Sequence, residues 1–422
     1  MAVANFGVFP RVSHGGGGLD TLRGMLDFQA LVTERLRRID ASGIRRVFDL
    51  AASIERPINL SIGQPDFDVP EPIKAAAIDA IEAGVNKYTP TQGLAELRDR
   101  VAARFDADYR RDGRWQDYGL LITSGVSGGL LLAIMTCVGP GDAVIMPDPY
   151  FVMYKHLVTM AGGEAVYADT YPDFELTAER VEPLLTDRTK LLLLSSPSNP
   201  TGVVASPRTL AELAELCRSR GVLLVSDEIY DEFCYEKVDT PAGRRAPSPA
   251  AFADDVMVLR GYSKTFAMTG WRLGYAVGPR PIVEQMTKLQ QYSFVCAPSM
   301  VQLAAAKAAD DVDMSPHVED YRQKRDMVID ALSERFELTR PGGAFYAFVK
   351  APHGQSGTRF VERAIERDVL IIPGSVFSER DTHFRISYAC DRDMLAEGLG
   401  VLNDLAEGLE RPPRATRDAA AP

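Results

Sequence analysis

In the segment Gly261-Tyr262-Ser263-Lys264-Thr265-Phe266-Ala267-Met268-Thr269-Gly270-Trp271-Arg272, an arginine follows a lysine by eight residues. A lysine on a short loop flanked by glycine and serine can form an imine with an aldehyde. An arginine close behind it can grip a dianionic phosphate through two parallel hydrogen bonds, where a lysine offers a point charge. Imine and phosphate together suit pyridoxal 5'-phosphate (PLP), the electron sink of amino-acid chemistry. Most lysines are solvated surface residues, so the surroundings must decide.

Those surroundings are unusual. Apolar runs expected to be strands each end in residues with matching chemistry, and open parallel sheets bind ligands at the carboxyl ends of their strands. Leu191 to Leu194 leads into SSPSNPTG with Asn199, and Val222 to Val225 into SDEIY with Asp227 and Tyr230. Ala143 to Met146 leads into PDPYF with Phe151, and Leu120 to Ile122 into TSGVSGG with Gly125, Val126 and Ser127. Each residue also has an ordinary reading. Ser and Gly before a helix are a usual cap, although free N–H groups there attract phosphate. Asp227 could be a turn residue, or the carboxylate that keeps a pyridine nitrogen protonated. Asn199 sits in a common turn sequence and Tyr230 could be structural, but both could bond a phenolate oxygen. Phe151 is either core or a ring-stacking surface. Arg385, in HFRISYA, stands in an alternating apolar run, where a charge is costly unless paired. A substrate carboxylate or a protein carboxylate would serve it equally.

The elements that must position these residues alternate. Helices are expected over Pro72 to Ala83, Leu94 to Asp106, Gly128 to Val138, Pro207 to Arg220 and Pro279 to Gln291, between short apolar strands buried on both faces. That order predicts an α/β fold with a mostly parallel central sheet flanked by helices. Further helices at 318–336, 357–367 and 392–409 surround strands at 344–348, 369–372 and 383–388, suggesting a smaller α+β domain. Ser42 to Ala52 and the pattern from Met25 to Ile39 also read as helical, and Ile58 to Ile62 as a strand. The expected division is an N-terminal extension and arm over 1–39, the N-terminal part of the small domain over 40–70, a large cofactor-binding domain over 71–304, the rest of the small domain over 305–410, and a disordered tail over 411–422. Four consecutive glycines mark the extension.

Composition narrows the partners. The 422 residues carry a net charge of -11, which argues against nucleic acid, because phosphate binding needs a positive surface. No apolar run reaches the roughly 18 residues that cross a membrane. Five widely spaced cysteines show no zinc spacing, so no metal site is expected, and a reducing cytoplasm with buried, inert thiols is the simplest reading.

The motifs LSIGQPDFDVP, KYTPTQGLAELR, ITSGVSGGL, SSPSNPTG, SDEIY, GYSKTFAMTGWRLGY and FRISYA follow one another in this order. Together they resemble the class I aminotransferases of the fold-type I PLP superfamily, over nearly the whole chain. The resemblance is nearest to the prokaryotic aspartate and aromatic aminotransferases. The stretches QYSFVCAPSMVQLAAAKA and PGGAFYAF lean toward the aromatic type.

That resemblance implies roles residue by residue. Lys264 is the Schiff-base lysine and proton carrier, and Asp227 the partner of the pyridinium nitrogen. Asn199 and Tyr230 hold the phenolate oxygen. Gly125, Val126, Ser127, Ser263 and Arg272 bind the phosphate, joined by Tyr88 from a neighbouring subunit of a homodimer. Phe151 stacks on the ring, while Gly63, Asn199 and Arg385 hold the substrate α-carboxylate. Cis bonds before Pro149 and Pro200 are implied as well. The expected reaction moves the amino group of an aromatic amino acid or aspartate to a 2-oxo acid such as 2-oxoglutarate, by way of an internal aldimine and pyridoxamine phosphate. A PLP-dependent β-lyase of the cysteine-conjugate type and an alanine or broad-specificity aminotransferase are the alternatives. A regulator built on this fold would need a DNA-binding domain, and the roughly 40 residues before the match are too few. A nicotinamide dehydrogenase is disfavoured, since no GxGxxG follows a first strand.

Overall fold

The computed structural model describes residues 28, 30–40, 43, 54–241 and 243–410. The helix expected over Ser42 to Ala52 apart from Gly43, most of the N-terminal extension and the C-terminal tail lie outside them. Of the pattern from Met25 to Ile39, a short helix at Glu34–Arg37 is described.

Along the chain the strands are β1 (Ile58–Asn59), β2 (Gly119–Thr123), β3 (Ala143–Asp148), β4 (Glu164–Asp169), β5 (Thr189–Ser195), β6 (Leu223–Asp227), β7 (Val238–Thr240), β8 (Gly243–Arg245), β9 (Met257–Gly261), β10 (Gly274–Gly278), β11 (Tyr346–Lys350), β12 (Val369–Leu370), β13 (Ile372–Pro373) and β14 (His383–Ser387). Seven of them form the central sheet, in the order β2-β10-β9-β6-β5-β3-β4. Only β10 runs against its neighbours. The run Leu191 to Leu194 at the centre of β5 is fully buried, as a strand covered on both faces requires.

Helices cover this sheet, and their ends follow local chemistry. Helix Pro207–Arg220 begins where the Ser206 side chain accepts from the Thr209 N–H, with proline at its first turn. It stops at Gly221, whose φ of 65° lies in the left-handed region that glycine adopts without a Cβ penalty. Helix Ser299–Ala308 packs on Glu71–Glu82 and Ala95–Tyr109. The domain boundary expected at 304/305 therefore falls inside an element of the large core, which takes in Ala304 to Ala306 and reaches Met314.

A second core gathers around β11, β14 and β13, an antiparallel sheet. The expected single strand at 369–372 is instead two. Val369 and Leu370 pair in parallel with Ile58 and Asn59, while Ile372 and Pro373 pair with β14. The strand expected over Ile58 to Ile62 is likewise shorter, because Ser61 and Gly63 turn their carbonyls toward side chains and leave the ladder. The prolines at 149, 172, 197 and 200 follow cis bonds, including the two expected.

Among the described residues no helix is long and apolar enough to cross a membrane. All five cysteines are free. Cys217, Cys234 and Cys390 are buried, and burial pushes each thiol up to about 12. Cys137 and Cys296 are only partly buried, which corrects the expectation of five buried thiols.

Candidate active site

The carboxyl ends of β2, β3, β5, β6 and β9 lie along one edge of the central sheet. Because β10 is antiparallel, its start lies on the same edge, and Arg272 just before it joins them. A cavity of about 330 Å³ opens there. Its walls include Gly63, Val126, Ser127, Phe151, Asn199, Asp227, Tyr230, Ser263, Lys264, Arg272 and Arg385. Eleven residues scattered over more than 300 positions of sequence thus share one small space.

Lys264 lies in the short helix Tyr262–Thr265 directly after β9. Its Nζ donates to the Gly63 carbonyl oxygen. Burial, with the repulsion of Arg385 and Arg272, brings its amine down from 10.5 to about 8. Asp227 closes β6, buried, and burial pushes its carboxyl up to about 6. The Tyr154 hydroxyl donates to Asp227 Oδ2 at 2.8 Å, and the Ile229 N–H to Oδ1 at 3.2 Å.

Arg385 is fully buried on β14. One guanidinium nitrogen donates to Asn199 Oδ1 at 3.1 Å and another to the Ser61 carbonyl at 2.7 Å. Its Nε has no partner. The guanidinium lies 4.5 Å over the Tyr346 ring and 4.7 Å from that of Phe377. The hydroxyls of Tyr230 and Tyr346 are 3.0 Å apart. Burial holds both phenols above their ordinary range, so both keep their protons as donors.

Arg272 holds a φ of 56°, which costs a residue with a Cβ about 1–2 kcal/mol. This bend turns its side chain back to the first turn of helix Gly125–Cys137. A Cβ on Gly125 would stand 2.7 Å from an Arg272 guanidinium nitrogen, so glycine is what lets the two meet. Gly125 therefore makes room for Arg272 beside the cavity. Tyr88 is 84% exposed and outside the cavity. The sequence reading also passed over Tyr154 and Tyr346. Nothing about an isolated tyrosine marks it, although Tyr346 stands inside the PGGAFYAF stretch.

A model of the family "Aminotransferase class I and II" matches residues 55–402. The chain belongs to this family. It is 35% identical to a probable aspartate aminotransferase of Methanocaldococcus jannaschii, over 89% of this chain and 100% of that one. It is 36% identical to aromatic-amino-acid aminotransferase 2 of Thermococcus litoralis, over 87% of this chain and 96% of that one. Among solved structures, a single mutant of Thermus thermophilus aspartate aminotransferase superposes with a TM-score of 0.81 at 33% identity, covering 89% of this chain and 99% of its own. The protein is thus a class I aminotransferase of the prokaryotic aspartate and aromatic group, with the fold-type I architecture. Aminotransferases of this class depend on PLP. The residues present fit that cofactor. The site offers a neutralisable amine, a buried carboxylate short of a cation, phenol donors, and an arginine meeting a helix N-terminus where a phosphate would sit. Among the described residues no metal-holding cluster of His, Cys, Asp or Glu occurs.

Proposed function

We propose that this aminotransferase takes its amino group from an aromatic or similarly apolar amino acid and passes it to a 2-oxo acid such as 2-oxoglutarate. One observation carries the choice of donor. Among the described residues the cavity has three cationic side chains, Lys264, Arg272 and Arg385, and each has a use. The rest of the wall includes Ile62, Leu130, Phe151, Ile229 and Tyr346, with no further lysine, arginine or histidine among the described residues. The far carboxylate of aspartate would be desolvated there without a cation. Gln64 and Thr269 are neutral donors that can bond a far carboxylate without an ion pair, so a dicarboxylate such as 2-oxoglutarate is accepted but held more weakly than an apolar partner.

The bound cofactor supplies the sink for negative charge at the substrate α-carbon. Lys264 would anchor it, and its amine would carry the α-proton as base and then as acid. An amine at about 8 suits both tasks near neutral pH. Asp227 would hold the ring nitrogen, Tyr230 and Asn199 would bond the ring oxygen, and Phe151 would pack against the ring. Ser127, Ser263, Arg272 and the N–H groups of the Gly125 and Val126 turn would take the phosphate. Arg385, whose Nε lacks a partner, turns to the α-carboxylate beside Gly63. Tyr88 serves the phosphate of a neighbouring chain in a homodimer, which suits its exposure.

A panel of amino donors against 2-oxoglutarate tests this reading. Phenylalanine and tyrosine should exceed aspartate in kcat/KM by about tenfold or more, the order of one unpaired buried charge. A preference for aspartate would overturn the choice of donor. Pyruvate and ammonia as sole products would overturn transfer itself.

A further inference from the structure

Tyr154 stands outside every motif used so far. It occupies the first turn of helix Met153–Ala161 and is 1% exposed. Its hydroxyl donates to Asp227 Oδ2 at 2.8 Å. The Ser195 side chain lies beside it. Ser195 ends β5 and Asp227 ends β6, and the two are directly opposed in the sheet register. Two adjacent strand ends and one helix start therefore meet around a single phenol.

The direction of these bonds is settled by chemistry. Burial raises the Tyr154 phenol well above its ordinary range, so the proton stays on it and points to the carboxylate. With the Ile229 N–H on Oδ1, each oxygen of Asp227 has one donor from the protein. A carboxylate held by both oxygens cannot swing, and its remaining lone pairs are available to the cavity that it lines.

We propose that Tyr154 is a positioning residue, whose hydroxyl fixes the Asp227 carboxylate in charge and direction for the ring nitrogen of the cofactor. This rests on the reading that Asp227 faces that nitrogen. The ring of Tyr154 also packs edge-on against Phe151, at 5.7 Å between centroids. Tyr154→Phe keeps that ring and deletes only the oxygen.

The test is equilibrium binding to the apoprotein of PLP and of its analogue with C–H in place of the ring nitrogen. Tyr154→Phe should weaken PLP by about tenfold or more, the scale of a lost hydrogen bond to a charged group, and leave the analogue within about twofold. That selectivity is what a packing role would not produce, and retained analogue binding shows an intact site. Equal weakening of both ligands, or unchanged PLP binding, would overturn the inference. Asp227→Asn separates the two levels. If it weakens PLP selectively while Tyr154→Phe does not, the assignment of Asp227 stands and the role of Tyr154 falls. If neither variant discriminates the ligands, the assignment of Asp227 falls as well.

Discussion

The cavity around Lys264 is about half the size of a second one, about 330 Å³ against about 650 Å³. The larger is lined by Arg104, Glu232, Lys237, Arg244, Arg245, Glu319 and Arg322 among others, and looks better supplied with charge. Its cations are already paired. Arg104 and Lys237 share Glu232, Arg245 meets Asp108, Arg244 meets Asp239 and Arg322 meets Glu319. In the smaller cavity, no carboxylate among the described residues lies within ion-pair reach of Lys264, Arg272 or Arg385. Their partners are carbonyl oxygens and one amide. Burying a cation without an anion is costly, so a fold that buries Arg385 and half-buries Lys264 and Arg272 in one place is holding room for anions that arrive from outside. Charge left unspent, rather than volume, separates the two cavities.

The sharpest way to break this contrast is at its centre. Lys264→Ala should cut transfer by at least about 10⁴-fold, the upper range for losing a general acid–base group, and remove the visible band of lysine-linked cofactor. Transfer that survives would mean that another amine does the work. Arg385→Leu comes next. Its kcat/KM for amino donors should fall by about 2–5 kcal/mol of transition-state binding, the scale of a buried charge partner removed. Near-wild-type kinetics would take Arg385 out of the carboxylate role. A pH titration is milder. With its amine near 8, Lys264 is neutral in about one molecule in a hundred at pH 6 and one in two at pH 8. Only the neutral amine attacks an aldehyde, so capture of PLP by the apoprotein should quicken about fiftyfold over that span and then level off. A rate still climbing tenfold per unit above pH 8 would put the amine back at 10.5 and remove the effect of burial. The smallest effect belongs to the other cavity. Arg104→Ala breaks a half-buried pair and should cost about 1 kcal/mol of stability in a melting experiment, with kcat/KM within about threefold. A large kinetic loss would show that the second cavity is coupled to the first.

The sequence exposed this arrangement unevenly, for physical reasons. Strands buried on both faces must be apolar throughout, so the centres of β3, β5, β6 and β9 stand out, with ends displaced by a residue or two. The edge strand β4 mixes charged and apolar residues, and β10 begins and ends in glycine; neither has the signature of a buried strand. Helix Gly128 to Val138 in fact starts at Gly125, because a glycine with φ of 70° can open a helix against an arginine. The charged members of the site were legible because Asp, Lys and Arg at apolar strand ends demand explanation. Tyr154 and Tyr346 were not, since a tyrosine is at home in a core and its hydroxyl partner cannot be read from spacing.

The split at residues 369–373 has a mechanical consequence. Val369 and Leu370 are stitched to Ile58 and Asn59, while Ile372 and Pro373 are stitched to β14, which carries Arg385. The Ser387 N–H also donates to the Leu60 carbonyl at 2.8 Å, closing the loop. Arg385 and the 58–63 segment are therefore one lever. Any rocking of that lever over the central sheet moves together the arginine proposed to grip the substrate and the Gly63 carbonyl that tethers the Lys264 amine. Engagement at one end and release at the other become a single stroke.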